Sequence, residues 1–264
     1  MAEQGNNIFF QRGQIADKQN NYLWLGDCLE LMKNIPDKSM DAIICDLPYG
    51  TTKCKWDNII PFDKLWAQYN RIIKPNGAIV LFGAEPFSSL LRISNINGYK
   101  YEWVWVKSRP IGFLNVKKMP LKNTELISIF YNNQPTYNPQ GVVKINKKRI
   151  NDNSKNGNNK TGLSGHNGGK MKGEYIQEYT NYPTQILNFA SERGLHPTQK
   201  PLELLKYLVK TYTNENDWVL DNTCGSNTTG IACYDLNRNY IGIEKDEDIY
   251  KVAKERIQNK LNNK

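Results

Sequence analysis

"DWVLDNTCGSNTTGIACYDLNRNYIGIEKD", residues 217–246, is the stretch that decides the fold. It predicts a strand ending at Asp221, a turn of small residues, a helix from about Thr228, and a second strand ending at Glu244. This order is typical of a βαβ unit that binds a nucleoside, because the second acid can accept hydrogen bonds from ribose hydroxyls. A generic strand–helix turn gives a similar pattern. The G-x-G-x-x-G fingerprint of dinucleotide enzymes is absent, which argues against a nicotinamide-dependent oxidoreductase.

Strands and amphipathic helices alternate along the rest of the chain. Parallel strands need helical crossovers, so the alternation predicts an α/β fold with a mostly parallel sheet and helices on both faces. The other predicted strands are "YLWLGD" (22–27), "DAIICD" (41–46), "AIVLFG" (78–83), "YEWVWVKS" (101–108) and "ELISIFY" (125–131). The other predicted helices follow Asp27, which with Glu30 fits a capping box, and cover "FDKLWAQYNRII", "PFSSLLRIS" and the segment after Pro201.

The composition points to an anionic partner. The 264 residues carry a net charge of +9 with a pI near 9.1, and nucleic acid is the first candidate. Residues 132–175 are rich in Asn and Gly, hold eight basic residues against two acids, and are predicted to be loop. This segment is either a solvated insertion or a positive surface that meets phosphates. Its basic residues are Lys144, Lys147, Lys148, Arg149, Lys155, Lys160, Lys170 and Lys172.

The cysteines and histidines do not predict a metal site. Five cysteines form no C-x-x-C pair and only two histidines are present, so no zinc site is expected. No stretch approaches the roughly 18 apolar residues of a membrane span, and the N-terminus lacks the form of a signal peptide. We therefore expect a soluble, cytoplasmic protein with reduced cysteines and no membrane partner.

Three motifs in a fixed order are more specific than any one of them. They are "DLPYG" (46–50), "HPTQKP" (196–201) and "DNTCGSNTT" (221–229). Together they resemble the S-adenosylmethionine-dependent DNA amino-methyltransferases in the beta arrangement, where the catalytic tetrapeptide comes first, the target-recognition region next and the cofactor loop last. The resemblance covers nearly the whole chain apart from the first twenty residues and the basic insertion.

The resemblance implies the architecture. We expect a Rossmann-like methyltransferase fold with a mostly parallel seven-stranded sheet and a circularly permuted motif order. Residues 1–264 would form a single catalytic domain, with 132–190 as an inserted target-recognition region.

The tetrapeptide Asp46, Leu47, Pro48 and Tyr49 is implied to be catalytic. The family usually has D-P-P-Y with adenine N6 as the acceptor, whereas serine in first place goes mostly with cytosine N4, so Asp46 favours adenine. An exocyclic amino group is a poor nucleophile and needs acceptors that pull it toward tetrahedral geometry. The Asp46 carboxylate and the Leu47 carbonyl supply them, Pro48 restricts that carbonyl, and Tyr49 offers a face on which a flipped base can stack.

A second set is implied to bind S-adenosylmethionine. Glu244 would hold the ribose, Asp27 the adenine, and Lys200 would pair with the cofactor carboxylate. For Asp27 the helix cap is a second role compatible with the first, and for Lys200 a solvated lysine at a helix start is the alternative. The whole set is Asp27, His196, Thr198, Lys200, Asp221, Thr223, Cys224, Gly225, Ser226, Thr228, Thr229 and Glu244.

The cofactor loop departs from the family pattern D-P-F-x-G-S-G-T-T. Asn222 and Thr223 replace Pro and Phe, and Asn227 replaces the second glycine. If that glycine is needed for a positive φ, Asn is the least costly replacement. If it is needed because the cofactor passes close by, Asn227 would obstruct binding.

The expected partner is double-stranded DNA, with a cognate restriction endonuclease possible and a monomer or homodimer as the assembly. Phosphate contacts are expected from the insertion and from Lys122 and its neighbours. The alternatives are transfer to cytosine N4 or to adenine in RNA, and a DNA-binding remnant with weakened cofactor binding. The predicted nucleic-acid-binding set is Lys117, Lys118, Lys144, Lys147, Lys148 and Arg149.

Overall fold

A computed structural model describes residues 20–51, 57–151, 173–192 and 199–262. The strands are β1 (Asn21–Leu25), β2 (Met40–Cys45), β3 (Ile73–Gly83), β4 (Tyr99–Ile111), β5 (Lys122–Phe130), β6 (Val143–Asn151), β7 (Gly173–Thr180), β8 (Ile186–Asn188), β9 (Trp218–Asp221) and β10 (Asn239–Glu244). The helices are α1 (Cys28–Leu31), α2 (Phe62–Ile72), α3 (Phe87–Ser94), α4 (Leu202–Tyr212), α5 (Thr228–Asp235) and α6 (Glu247–Asn262). Within the described residues, no helix has the length and apolar character needed to cross a membrane.

The chain forms two compact units, Met1–Asn138 with Gln185–Lys264, and Pro139–Thr184. The first unit holds a sheet in the order β1-β10-β9-β2-β3-β5-β4-β8. Neighbours from β1 to β3 are parallel, whereas β5 runs antiparallel to both β3 and β4. The predicted mostly parallel α/β fold is confirmed.

The predicted number of strands is wrong by one. The sheet has eight strands because the short β8 pairs with β4 through Val104, Trp105 and Val106. Three residues carry too little alternating pattern to be distinguished from a connection.

Helices cover both faces of the sheet. Alternate residues of a strand point to opposite faces, and in β2 Ile43 packs in an apolar cluster with Tyr69 of α2, whereas Ile44 packs in another with Leu208 of α4. The strand is therefore buried on both sides, as its continuous apolar run predicts.

The order of the strands places a crevice between β9 and β2. These strands are parallel neighbours, but their successors in the chain lie on opposite sides of the pair. β3 lies next to β2, and β10 lies next to β9. In open α/β sheets, ligands bind outside the carboxyl ends of the strands where the order reverses in this way. The sequences that follow β2 and β9 are the tetrapeptide and the glycine-containing loop.

The first helix is short. Asp27 caps α1 by accepting a hydrogen bond from the Leu29 amide at 2.9 Å, as expected, but α1 ends at Leu31 and continues as a 3-10 turn over Met32–Asn34. Glu30 lies 2.7 Å from Lys33 Nζ, so the second half of the predicted capping box is replaced by an ion pair one turn along.

The second unit corrects the prediction that 132–175 is loop. β6 and β7 form an antiparallel two-stranded sheet, supported by an ion pair of 2.5 Å between Lys148 and Glu174. Isoleucine and tyrosine side chains such as Ile176 and Tyr175 favour strands, and the Asn- and Lys-rich composition obscured them. Their exposure of 66% and 48% explains why no buried face marked the strands in the sequence.

Candidate active site

Four acids lie at the same edge of the sheet. Asp27 follows β1, Glu244 ends β10, Asp221 ends β9 and Asp46 follows β2. These four strands are consecutive parallel neighbours, so their carboxyl ends meet in that order. The structure therefore brings together acids that are up to 217 residues apart in the chain.

The Asp46 carboxylate lies in a network of hydrogen-bonded charges. Its Oδ1 accepts a hydrogen bond from the Tyr49 hydroxyl at 2.6 Å, and its Oδ2 accepts one from Lys200 Nζ. Glu125, in β5, lies 2.9 Å from the same hydroxyl and 3.0 Å from the same ammonium. Lys107 Nζ lies 2.6 Å from the other Glu125 oxygen, so two cations balance two carboxylates.

Burial and these charges set the protonation of the network. Burial raises the pKa of Asp46, against the opposing effect of Lys200. Burial also acts to raise the pKa of Glu125, but the charges of Lys200 and Lys107 outweigh it and hold that pKa below its usual range. Lys200 is itself buried, which favours the neutral amine, yet Asp46 and Glu125 raise its pKa. The ammonium thus stays charged and faces both carboxylates.

The rest of the tetrapeptide is fixed by packing. The Leu47 side chain is 4% exposed and lies in the apolar cluster on the α2 face. The Tyr49 ring stacks on Phe87 with centroids 5.0 Å apart. Gly50 has a φ of 67°, and its amide donates to the Asp57 carboxylate at 2.8 Å. The backbone after β2 is therefore held in one conformation, and the Leu47 carbonyl with it.

The loop after β9 is organised by Asp221. This buried carboxylate accepts hydrogen bonds from the Thr229 hydroxyl at 2.6 Å and the Thr223 amide at 3.2 Å. Burial raises its pKa to about 7, with both hydrogen bonds opposing the shift. The Thr223 hydroxyl donates to the main-chain oxygen of Asp46 at 3.0 Å, so the two strand ends are directly connected.

Gly225 and Glu244 form the open side of this loop. The Gly225 amide donates to Glu244 Oε2 at 3.0 Å, and the Asp246 amide donates to Glu244 Oε1 at 2.8 Å. The carboxylate retains some acceptor capacity, because an ionised carboxylate can accept about four hydrogen bonds. Gly225 has a φ of 52°, and a Cβ added there would meet no protein atom within 4 Å. The backbone at Gly225 is thus exposed to an open space.

Other members of the predicted cofactor set support the loop from behind. Arg256 donates to the Ser226 carbonyl at 3.0 Å and to the Thr228 hydroxyl at 2.8 Å. The Cys224 amide donates to the Ile243 carbonyl at 3.0 Å. All three loop side chains are buried. Asp27 is more accessible, and its Oδ2 lies 3.0 Å from Lys245 Nζ.

The departures from the family pattern have local explanations. Asn227 has a φ of 65°, which Asn tolerates better than most residues, and its side chain is 1% exposed. It packs toward Gly230, where an added Cβ would lie 2.2 Å from the Asn227 oxygen. Asn222 Oδ1 accepts hydrogen bonds from the Tyr69 hydroxyl at 2.5 Å and the Cys45 thiol at 2.9 Å. Both asparagines are buried in the protein and do not face the open space at Gly225.

The remaining predicted residues fall into three groups. His196 and Thr198 lie outside the described residues, as do Lys155, Lys160, Lys170 and Lys172. Lys117 and Lys118 lie in the connection between β4 and β5 of the first unit. The exposed residues Lys144, Lys147, Lys148 and Arg149 all lie on β6 of the second unit.

Glu125 and Lys107 were missed by the sequence analysis. Glu125 begins the apolar run "ELISIF", and its 5% exposure makes it one of the few buried carboxylates among the described residues. The signal available in the sequence was an acidic residue at the start of an apolar run, since acidic residues are seldom fully buried unless they are paired. No local pattern connects it to Tyr49, which is 76 residues away.

Comparisons with known proteins agree with this geometry. The sequence model of the family described as DNA methylase (N6_N4_Mtase) matches residues 40–255, most of the chain. Type II methyltransferase M2.MboI of Moraxella bovis is 27% identical over 91% of this chain and 89% of its own length. Type II methyltransferase M2.LlaDCHI of Lactococcus lactis subsp. cremoris is 28% identical over 91% and 90%.

Solved structures give the same result. The M1.HpyAVI–SAM complex superposes with a TM-score of 0.58 at 26% identity, covering 89% of this chain and 98% of that one. The cytosine-N4-specific PvuII DNA methyltransferase superposes with a TM-score of 0.66 at 17% identity, covering 95% and 94%, which shows the fold alone. The Rossmann-like methyltransferase fold is thereby confirmed. This chain belongs to the N6_N4 DNA methylases, which are S-adenosylmethionine-dependent DNA amino-methyltransferases.

Proposed function

We propose that the protein methylates N6 of adenine at specific sites in double-stranded DNA. The observation that carries the proposal is the Asp46 carboxylate at the end of β2, paired with Lys200 and placed beside the loop after β9. An amino group needs a charged acceptor to become nucleophilic. Aspartate in this position favours adenine over cytosine through the family resemblance of the tetrapeptide.

The loop and the strand ends fit S-adenosylmethionine. The bare backbone at Gly225 leaves open space for it, and the carboxylates of Glu244 and Asp27 have free acceptor capacity for ribose hydroxyls and an adenine amino group. Asp221 and Thr223 would fix the conformation of the loop through their hydrogen bonds. When bound, S-adenosylmethionine supplies an electrophilic methyl group and leaves as a neutral thioether.

The residues of the chain then orient the acceptor. Asp46 retains lone pairs beyond those used by Tyr49 and Lys200, so its carboxylate accepts one amino hydrogen of the base. The carbonyl of Leu47 accepts the other. With S-adenosylmethionine bound, these two acceptors would direct the nitrogen lone pair toward the methyl group that it supplies, and an Asp46 oxygen would take the amino proton released on transfer. Positioning is the main contribution to the rate.

The network around Asp46 has a defined part in this step. The charge of Lys200 acts to lower the pKa of Asp46 against the effect of burial, and the role predicted for Lys200 at the cofactor carboxylate stays a prediction alongside it. Glu125 holds Lys200 and Tyr49 in place and acts as a positioning residue. Tyr49 would also stack on a base that has rotated out of the duplex, since the amino group is inaccessible within paired DNA.

DNA contacts would come from both units. Lys144, Lys147, Lys148 and Arg149 form a basic strand in β6 suited to phosphates, and the sequence-specific contacts are proposed for 132–190. A cognate restriction endonuclease is a further proposed partner, because relatives of this chain are named type II methyltransferases.

The test is transfer from tritiated S-adenosylmethionine to DNA, followed by digestion to nucleosides and mass spectrometry. N6-methyladenine from double-stranded DNA is the expected product. N4-methylcytosine, or label in RNA alone, would overturn the assignment of the acceptor. No calorimetric binding of S-adenosylmethionine at millimolar concentration would favour a DNA-binding remnant. The exposed Asp63→Asn variant serves as a purification control.

A further inference from the structure

The connection between β4 and β5 presents an apolar surface to solvent. In residues 112–121, "GFLNVKKMPL", Leu114 is fully exposed and Phe113, Val116 and Met119 are 64%, 52% and 58% exposed. Contiguous exposed apolar side chains are unusual on a soluble protein and mark a contact surface. We call residues 112–121 the hairpin tip.

The hairpin tip has a defined backbone. Gly112 has a φ of 96° and starts a 3-10 turn, Phe113–Asn115. The Asn115 amide donates to the Gly112 carbonyl at 2.9 Å, and the Lys118 and Met119 amides donate to the Asn115 carbonyl at 2.8 and 3.0 Å. The backbone of the tip is thus hydrogen-bonded within itself, while its apolar side chains remain exposed.

Charge indicates what the tip meets. Between Arg109 and Thr124 the chain has four basic residues and no acid. Lys117 and Lys118 lie within the tip, and Lys122 starts β5 and donates to the Glu85 carbonyl at 3.4 Å. Apolar side chains interleaved with positive charges suit a nucleic-acid duplex, where bases are apolar on their faces and phosphates surround them.

The sheet places the tip beside the tetrapeptide. β5 is antiparallel to β3, so β5 begins at the edge where β2 and β3 end. Glu125 marks that edge, because it contacts Tyr49 and pairs with Lys107 of β4. Lys122 lies three residues earlier, about 10 Å along an extended strand, and the tip extends beyond it. The stem of the hairpin is thus fixed to the catalytic network, and the tip projects past it.

We propose that the hairpin tip is a wedge that enters duplex DNA next to the target base. Phe113 and Leu114 would fill the space that the flipped base leaves and pack against the neighbouring bases, while Lys117 and Lys118 contact the adjacent phosphates. Apolar side chains inserted between base steps offset the loss of stacking in other DNA-binding proteins. This inference rests on the proposed function, since it assumes that a base in paired DNA is the acceptor.

The test compares two DNA duplexes that differ only in pairing at the target. The site is first mapped by sequencing modified bases in DNA from cells that express the protein. One duplex carries the normal partner opposite the target base and the other carries an abasic position, so that the base needs little work to leave the stack. Transfer by Phe113→Ala and Leu114→Ala is measured on both, with Ile96→Ala as control. Ile96 is 61% exposed but lies in the turn before β4, at the opposite edge of the sheet.

The expected result is a selective defect. Each tip variant should lose about ten-fold in kcat/KM on paired DNA, the size of one lost base-stacking contact, and recover to within about two-fold of wild type on the abasic duplex. Equal losses on both duplexes, or no loss on paired DNA, would overturn the wedge. The wedge would also be overturned if Leu114→Ala changed the oligomeric state in size-exclusion chromatography while its transfer rates did not differ between the duplexes. The tip would then be a contact between copies of the chain. Failure of wild type to methylate either duplex would instead refute the proposed function.

Discussion

The two strand ends that meet in the crevice are stabilised in different ways. After β2, Asp46 is held by an ammonium and a hydroxyl, and it shares both with Glu125. After β9, Asp221 is held by a hydroxyl and a main-chain amide, with no cation within hydrogen-bonding distance among the described residues. The first carboxylate is paired with a charge, whereas the second is only partly ionised at pH 7 because burial raises its pKa to about 7.

The two carboxylates therefore meet different requirements: one needs charge and the other needs only hydrogen-bonding capacity. A carboxylate that must polarise an amino group has to be ionised, and the charge of Lys200 acts to lower the pKa of Asp46 against the effect of burial. A carboxylate that only fixes the fold of a loop needs hydrogen-bonding capacity and not charge. The same residue type at neighbouring strand ends therefore depends on charge at Asp46 and on geometry at Asp221.

The largest expected effect is the loss of charge at Asp46. Asp46→Asn keeps the size of the side chain but presents an amide group that cannot replace the ionised acceptor, so methyl transfer should fall about 10³-fold. Tritium transfer to DNA measures this, and calorimetry should show unchanged affinity for S-adenosylmethionine. Asp63→Asn, an exposed carboxylate in α2, is the matched control. Near wild-type transfer by Asp46→Asn would mean that the charge at this strand end is not used.

The second prediction concerns stability as a function of pH. Because the pKa of Asp221 is about 7 in the folded protein against 3.8 ordinarily, the folded state binds more protons than the unfolded state between those values. Its contribution to the free energy of unfolding should therefore decrease as pH rises from about 4 to 7, by up to about 4 kcal/mol. Urea unfolding at a series of pH values measures the slope.

Asp221→Asn should flatten that slope while keeping an oxygen to accept from Thr229. Asp248→Asn, an exposed acid in α6, should leave the slope as it is. If Asp221→Asn keeps the wild-type slope, or if it abolishes cofactor binding as a charge partner would, the contrast with Asp46 does not hold.

The third prediction addresses the residue that connects the network to β5. Glu125→Gln should lower kcat about ten-fold with little change in the KM for cofactor, because Lys200 and Tyr49 lose their second anchor. The charge of Glu125 also raises the pKa of Asp46. Its removal should lower that pKa and move the acidic limb of the pH–rate profile to lower pH.

A purely structural role for Glu125 would change the rate without moving that limb. Glu203→Gln, an exposed acid in the first turn of α4, provides the control. An unshifted limb in Glu125→Gln would remove Glu125 from the electrostatics of the site and leave Lys200 as the only partner that matters to Asp46.

The sequence was informative where structure is local. The acids at the ends of β2, β9 and β10 could be located because each terminates an apolar run, and the small residues between Asp221 and Thr228 identified the loop. Glu125 could not be assigned, since its contact with Tyr49 exists only because β5 inserts between β3 and β4. The strand pair β6 and β7 was missed for a different reason: its residues are exposed on both faces, so no alternation of apolar and polar residues marks it.

The smallest expected effect is at Asn227, where the sequence left two explanations open. The residue has a φ of 65° and its side chain is buried against Gly230, away from the open space at Gly225. Asn227→Gly should therefore change the Kd for S-adenosylmethionine by less than about three-fold and stability by less than about 1 kcal/mol. Calorimetry and urea unfolding measure the two quantities.

The matched variant Asn227→Ala keeps a small side chain but fits a positive φ poorly, so it should destabilise the protein by about 1–2 kcal/mol. That pair of results would assign Asn227 to the backbone conformation of the loop. Cofactor binding at least ten-fold tighter in Asn227→Gly would instead show that the asparagine obstructs the site. In that case contact with the cofactor, and not the backbone conformation, would determine which residue suits position 227. The strand ends after β2 and β9 would then both be constrained by the molecules that they bind.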